Sequence, residues 1–294
     1  IATGDLGLWD DTQVDALRPV VQAMTRCGAT PAIQIGHAGR KGSGHGLWGD
    51  ADPAFAPSPP EQWQTVGPSA VANTGLATPR ELTVGEISQV VDEFAAACVR
   101  AVAAGFQVID LHGAHGFLLH QFLSPVSNHR TDAYGGPLEN RARLLREVAR
   151  AVRAEVGDGI VLAVRLSATD WLPGGSGLEE TIQVAQWLAD DGVDHLDVSS
   201  GGIDTPAIPV APGYQVPFAA ALREATNLSV SAVGLIAEPY QAAQILVTGQ
   251  ADAVMMGRAW MRNPHLAAAW AVALGARDLA GIVVPPYAAA RWVK

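Results

Sequence analysis

Cysteine is nearly absent from this 294-residue chain, which has only Cys27 and Cys98. Two distant thiols in no metal-like spacing exclude a disulfide framework and an iron–sulfur ligand set, and suit a reducing, cytoplasmic setting. Charge is sparse too: charged residues make up 16%, with 19 basic against 29 acidic and a net charge of −10. No basic face is visible, so no nucleic-acid partner is expected, and the acidity serves solubility. No apolar run is long enough to span a bilayer and no secretory leader is present, so no membrane partner is expected. Methionine is missing from position 1, and residues 1–10 read like mid-protein sequence, as expected of a fragment, a processed product or a numbering that skips an N-terminal stretch.

What the chain does have is apolar residues, 49% of the total, in an alternation of amphipathic helix and short apolar strand. Val14, Leu17, Val20, Val21 and Met24 recur at helical spacing and predict a helix over residues 11–28, followed by a strand over 32–36. Thr83 and Glu86 form a capping-box pattern that opens a second helix, ending at Gly105 before a strand over 108–112. The cycle continues with helices over 138–156, 179–190, 216–225 and 239–247, and strands over 161–166, 195–199, 230–233 and 253–256, before a helical tail. Six strands joined by crossover helices must run parallel, and the nearly continuous apolar runs predict burial on both faces. Six units fit either a doubly wound sheet or an eight-fold barrel short of two units. Length favours one domain over 1–294. Two connections break the cycle: residues 41–80, rich in Pro and Gly and long enough to form a lid or rim, and the polar segment 113–137.

Chemistry in such folds lies at the C-terminal ends of strands. Those ends carry Gln34, His37 and Arg40; His112 and His115; Arg165 and Asp170; Ser199 to Gly201; Gly234; and Gly257 with Arg258. Arg165 sits inside an apolar strand, so its guanidinium needs a carboxylate or an anionic ligand. Gly234, Gly257 and Arg258 resemble a barrel phosphate site, where glycine lets backbone donors approach an anion. That site follows strands 7 and 8 of a (β/α)8 TIM barrel, which makes the six visible strands numbers 3 to 8, with strands 1 and 2 absent. His112 and His115 could pair on a metal, but a strand end lacks the helical spacing of such motifs. A shared ligand is the better reading, and no metal is expected.

Three segments then carry a resemblance: Ile33-Gln-Ile-Gly-His-Ala-Gly-Arg-Lys41, His112-Gly-Ala-His-Gly-Phe117, and Phe122 through Gly136 continuing to Glu139-Asn-Arg141. Together they resemble the Old Yellow Enzyme family of FMN-dependent ene-reductases, its thermophilic-like (YqjM-like) branch most closely. The resemblance implies a single FMN-binding β/α barrel, with the segment from Ser127 to Arg141 chiefly architectural. Gln34 and Arg165 would bind the flavin pyrimidine, and Gly234, Gly257 and Arg258 its phosphate. His112 and His115 would grip the carbonyl oxygen of a small activated alkene, reduced at its β-carbon with hydride from NAD(P)H. A homodimer or homotetramer is implied, with Arg291 of the tail 281–294 reaching a neighbouring subunit's substrate site.

Phe117 departs from the pattern, because the family usually has Tyr at this substrate-facing position to protonate the α-carbon, and a phenyl ring has no proton to give. Tyr134 and Tyr214 are the nearest substitutes in sequence. The departure leaves open a flavin-binding relative with a different redox substrate, or an inactive barrel. A second departure, Pro137 in place of the usual Ser, would open the following helix at its first position.

Overall fold

A computed structural model describes residues 5–43, 64–277 and 282. Arg291 and the core of the 41–80 connection lie outside the described residues. Chain order runs α1 (Asp11–Arg26), β1 (Ala32–Ile35), a 3-10 turn (Gly39–Lys41), β2 (Val66–Gly67), β3 (Arg80–Glu81), α2 (Val84–Ala104), β4 (Val108–Gly113), α3 (Leu118–Leu123) and α4 (Leu138–Val156). It continues through β5 (Val161–Ser167), α5 (Leu178–Asp190), β6 (His195–Ser199), α6 (Val216–Ala225), β7 (Ser229–Ala232), α7 (Pro239–Val247), β8 (Ala253–Val254), α8 (Arg258–Arg262) and α9 (Leu266–Ala273).

Six strands form one parallel sheet in the order β1-β4-β5-β6-β7-β8, with β1 and β8 at its edges among the described residues. The expected capping box forms: Thr83 N–H donates to Glu86 Oε2 at 2.8 Å while Glu86 N–H donates to Thr83 Oγ1 at 3.3 Å. Arg80 then clamps the same carboxylate, and these bonds, led by Arg80, hold Glu86 down at about 2.

Most of both strand faces is buried as expected, but the reading of the strands as nearly continuous apolar runs needs correction. One face is apolar: Ile109, Leu111, Leu162, Val164, Leu166, Leu196, Val198 and Val230 are buried in the core with the helices. Each fully buried Leu or Ile there contributes roughly 1.5–3 kcal/mol by leaving water. The opposite face carries Gln34, Asp110, His112, Arg165, Ser167, Asp197, Ser199 and Ser231. The side-chain period of a strand is two, so a polar residue at every second position polarises one face and leaves the other untouched.

Both long connections hold more order than expected. β2 and β3, one at each end of residues 66–81, pair in parallel as a second sheet, and the 113–137 segment contains the buried helix α3. Pro137 caps α4 one residue before its first turn rather than occupying that turn. The segment from Ser127 to Arg141 is dense in internal bonds. Asn128 donates to the Phe122 and Tyr134 carbonyls, both at 2.7 Å, and buried Arg130 donates to Pro68 and Leu82 carbonyls and to Asp132.

Candidate active site

His112 is the penultimate residue of β4, on the polar face, and the chain turns sharply after Gly113. His115 adopts a left-handed backbone with φ 57°, and Phe117 caps α3. The turn is held from three sides. His115 N–H donates to Ser167 Oγ at 3.0 Å, Gly116 N–H donates to His120 Nδ1 at 2.8 Å, and Lys41 Nζ donates to the His115 carbonyl at 2.7 Å. A Cβ on Gly116 would lie 2.3 Å from the Gly202 carbonyl oxygen, so only glycine lets the loops after β4 and β6 press backbone to backbone.

This turn sets the two imidazoles side by side, with ring centroids 5.2 Å apart, and lays Phe117 against His112 at 4.9 Å. Burial, with nearby Arg165 adding to it, pushes His112 down to about 3 and His115 to about 2. Both rings are neutral at physiological pH and hydrogen-bond as imidazoles. His112 Nδ1 is buried with no partner among the described residues.

Arg165 lies beside His112 in the β4–β5 register and beside Asp197 in the β5–β6 register. Its Nε is 2.8 Å from Asp197 Oδ2, an ion-pair distance whose angle is not that of a hydrogen bond, so both atoms count as buried without a hydrogen-bond partner. No hydrogen bond reaches its Nη atoms among the described residues, which leaves the fork free to meet a ligand. Gln34 donates through Nε2 to Asp110 Oδ2 at 2.6 Å, which leaves its Oε1 available as an acceptor. Burial pushes the Asp110 carboxyl up to about 7, and Asp197 is raised for the same reason. Arg165 therefore meets both alternatives read from the sequence: it has a carboxylate partner and still offers donors.

Gly234, Gly257 and Arg258 follow the adjacent strands β7 and β8. Gly234 has φ +127° and Leu235, a non-glycine, has φ 51°. A Cβ on Gly234 would come within 3.0 Å of Gln215 Nε2. The backbone N–H groups of Gly234, Leu235 and Gly257 donate to nothing among the described residues, and the Arg258 side chain is exposed. Thus His112, His115, Phe117 and Arg165 are brought together, Gln34 sits on the neighbouring strand, and the two glycines with Arg258 form a separate cradle at the same sheet end.

Tyr134 does not serve the histidines. It packs on Phe122 and donates to Glu147 of α4 at 3.0 Å. Tyr214 borders the Gly234 cradle instead. No third His, Cys, Asp or Glu joins the histidine pair in a metal-holding group among the described residues. Sequence reading missed Asp110 and Asp197 flanking Arg165, and Lys41 bracing the His115 turn. The signal for the aspartates was their alternation with His112 and Ser199 at period two.

A backbone anion cradle and an inward guanidinium at the ends of parallel strands are features by which α/β proteins hold a phosphorylated cofactor. The chain belongs to the NADH:flavin oxidoreductase / NADH oxidase family, the Old Yellow Enzyme family, whose profile matches residues 1–273. It is 45% identical over 276 residues to the NADPH dehydrogenase of Listeria welshimeri, covering 94% of this chain and 76% of that one. Among solved structures it is similar to a 2-naphthoyl-CoA reductase complex, with TM-score 0.81 and 27% identity, over 92% of this chain but only 42% of that one. It is also similar to the Old Yellow Enzyme homologue of Zymomonas mobilis, with TM-score 0.72 and 26% identity, over 95% of this chain and 77% of that one. The cofactor is FMN and the reductant is NAD(P)H. The residues present fit that group: unpaired N–H donors and a glycine cradle for the phosphate, and a free guanidinium fork for the ring.

Proposed function

We propose that the chain is an NAD(P)H-dependent FMN ene-reductase acting on α,β-unsaturated carbonyl compounds, on a (β/α)8 barrel whose strands 3 to 8 are β1 and β4 to β8. The observation that carries this reading is the pair of buried neutral imidazoles 5.2 Å apart beside Arg165. Neutral N–H donors bind a carbonyl oxygen and strengthen their hold as enolate charge develops on it, which lowers the barrier to hydride arrival at the β-carbon. His112 and His115 fill this role, and Phe117 packs against the bound alkene. Arg165 and the Gln34 acceptor orient the flavin pyrimidine, and Gly234, Gly257 and Arg258 hold the phosphate. When bound, FMN supplies the hydride chemistry between NAD(P)H and the alkene. Phe117 donates no proton, so the α-carbon takes its proton from solvent. The single domain, a cytoplasmic setting and a homodimer or homotetramer with Arg291 at a neighbour's site belong to the same proposal.

Anaerobic NADPH added to the FMN-loaded protein should bleach the flavin, and 2-cyclohexen-1-one should restore the colour. Bleaching by neither NADPH nor NADH sinks the reductase reading. Phe117 favours a second reading, a flavin oxidoreductase with a different redox substrate, which bleaching without recovery by any enone would support.

A further inference from the structure

A neutral imidazole carries one proton, so His115 can donate to a carbonyl only if that proton sits on the nitrogen facing the ligand. His115 Nε2 does not face outward: it lies 2.7 Å from Ser199 Oγ at the end of β6. The hydroxyl has a single proton and two candidate acceptors, His115 Nε2 and, 3.3 Å away, Gln215 Oε1.

The surrounding bonds fix the groups that Ser199 meets. Gln215 Nε2 donates to the Val233 carbonyl at 3.1 Å, which fixes the amide with Oε1 toward the serines. Trp171 Nε1, which can only donate, gives its proton to Ser200 Oγ at 3.0 Å. Ser200 must then turn its own proton onward, and it donates to Gln215 Oε1 at 2.6 Å. That oxygen holds a short bond and keeps a second lone pair, so distance makes the choice: Ser199 lies 2.7 Å from His115 Nε2 against 3.3 Å from Gln215 Oε1.

We propose that Ser199 is a positioning residue: it donates to His115 Nε2 and so holds His115 as the Nδ1–H tautomer, aiming a donor at the substrate oxygen beside His112. The relay Trp171–Ser200–Gln215 keeps the Ser199 proton directed that way. Backbone strain is concentrated at the same place. His115, Trp171 and Leu235 are the three non-glycine residues with positive φ among those described. The first two end this relay, and the third lies two residues past Val233. Strained backbone persists where surrounding structure over-determines it, and such residues cluster at functional sites.

The proposal rests on the carbonyl-grip reading above, and its test separates the two. In FMN-loaded protein labelled with 15N at histidine, the two ring nitrogens of His115 report which one carries the proton, whatever the substrate. Assignment comes from the signal lost in His115→Asn. We expect Nδ1–H in the wild type and a shift toward Nε2–H in Ser199→Ala, with Ser199→Thr restoring Nδ1–H. In turnover, S199A should lower kcat/KM for cyclohexenone by up to about 100-fold, the lower end of what deleting one donor to developing charge costs, because the donor is misdirected rather than removed, and S199T should recover most of it. An Nε2–H tautomer in the wild type, or an unchanged tautomer in S199A, overturns the proposal. If S199A does not fold, the wild-type tautomer and S199T still decide. A wild type that reduces no enone yet shows the Nδ1–H pattern refutes the function and leaves the relay standing.

Discussion

The two faces of the six-stranded sheet are built from the same strands by opposite rules. Toward the helices, Leu111, Leu162, Val164, Leu196 and Val198 are all fully buried and wholly apolar. One residue along each strand, the other face holds a guanidinium between two carboxylates with raised pKa values, and hydroxyls that organise an imidazole. The first face is stable by exclusion of water. The second is tolerable only because each charge has a neighbour, and it keeps donors and acceptors in reserve for a ligand.

Arg165→Leu should break this contrast most severely. Asp197 loses its partner, and removing one member of a buried pair typically costs about 3–5 kcal/mol. Urea unfolding should show the loss at pH 8 and a smaller one at pH 5, where the carboxyls can protonate. Adding Asp197→Leu should recover part of the pH 8 loss. On the apolar face Leu111→Ala should cost about 2–5 kcal/mol through lost burial and a cavity. That loss should not vary between pH 5 and 8, which separates the faces by titration alone.

The histidines make the polar face acid-sensitive in a definite direction. His112 at about 3 and His115 at about 2 lie below the unfolded value of roughly 6.5. The unfolded chain therefore binds more protons, and stability, complete above pH 6.5, falls as pH drops from 6.5 toward 3. Asp110, raised to about 7, opposes this, because its contribution is lost as pH rises from about 4 to 7. Unfolding midpoints measured between pH 5 and 8 should show the histidine slope flattened by His112→Asn and the opposing slope removed by Asp110→Asn. The smallest effect on the fold belongs to Arg258→Ala. Its side chain is exposed, so urea unfolding without FMN should be unchanged, whereas FMN should bind about 10- to 100-fold more weakly by fluorescence titration, the worth of a charge-assisted bond to phosphate.

The order of strands and helices was legible because each strand is a short run rich in apolar residues, set off by loops, and each helix has a clear apolar stripe. The contrast between faces was not. Reading Ile109-Asp-Leu111 and Leu196-Asp-Val198 as apolar runs hid the aspartates, which gain meaning only once the register sets them around Arg165. Helix α3 was missed because six residues are too few to display a period, and β2 and β3 because two-residue strands far apart in sequence carry no pattern. The residue types at the histidine turn could be read directly, but Phe117, Lys41 and Ser199 acquire their roles from loops that are distant along the chain.

Asp170 also makes three separate segments depend on one side chain. It is fully buried and accepts from His120 at 2.9 Å and from Ser124 Oγ and Ser176 N–H at 2.7 Å each. Against the penalty of burial, those bonds hold its carboxyl below the usual range. One carboxylate thus fastens helix α3 to the loop after β5, and His120 in turn receives Gly116 of the histidine turn. Loss of this one carboxylate would therefore release α3, the loop after β5 and the histidine turn together.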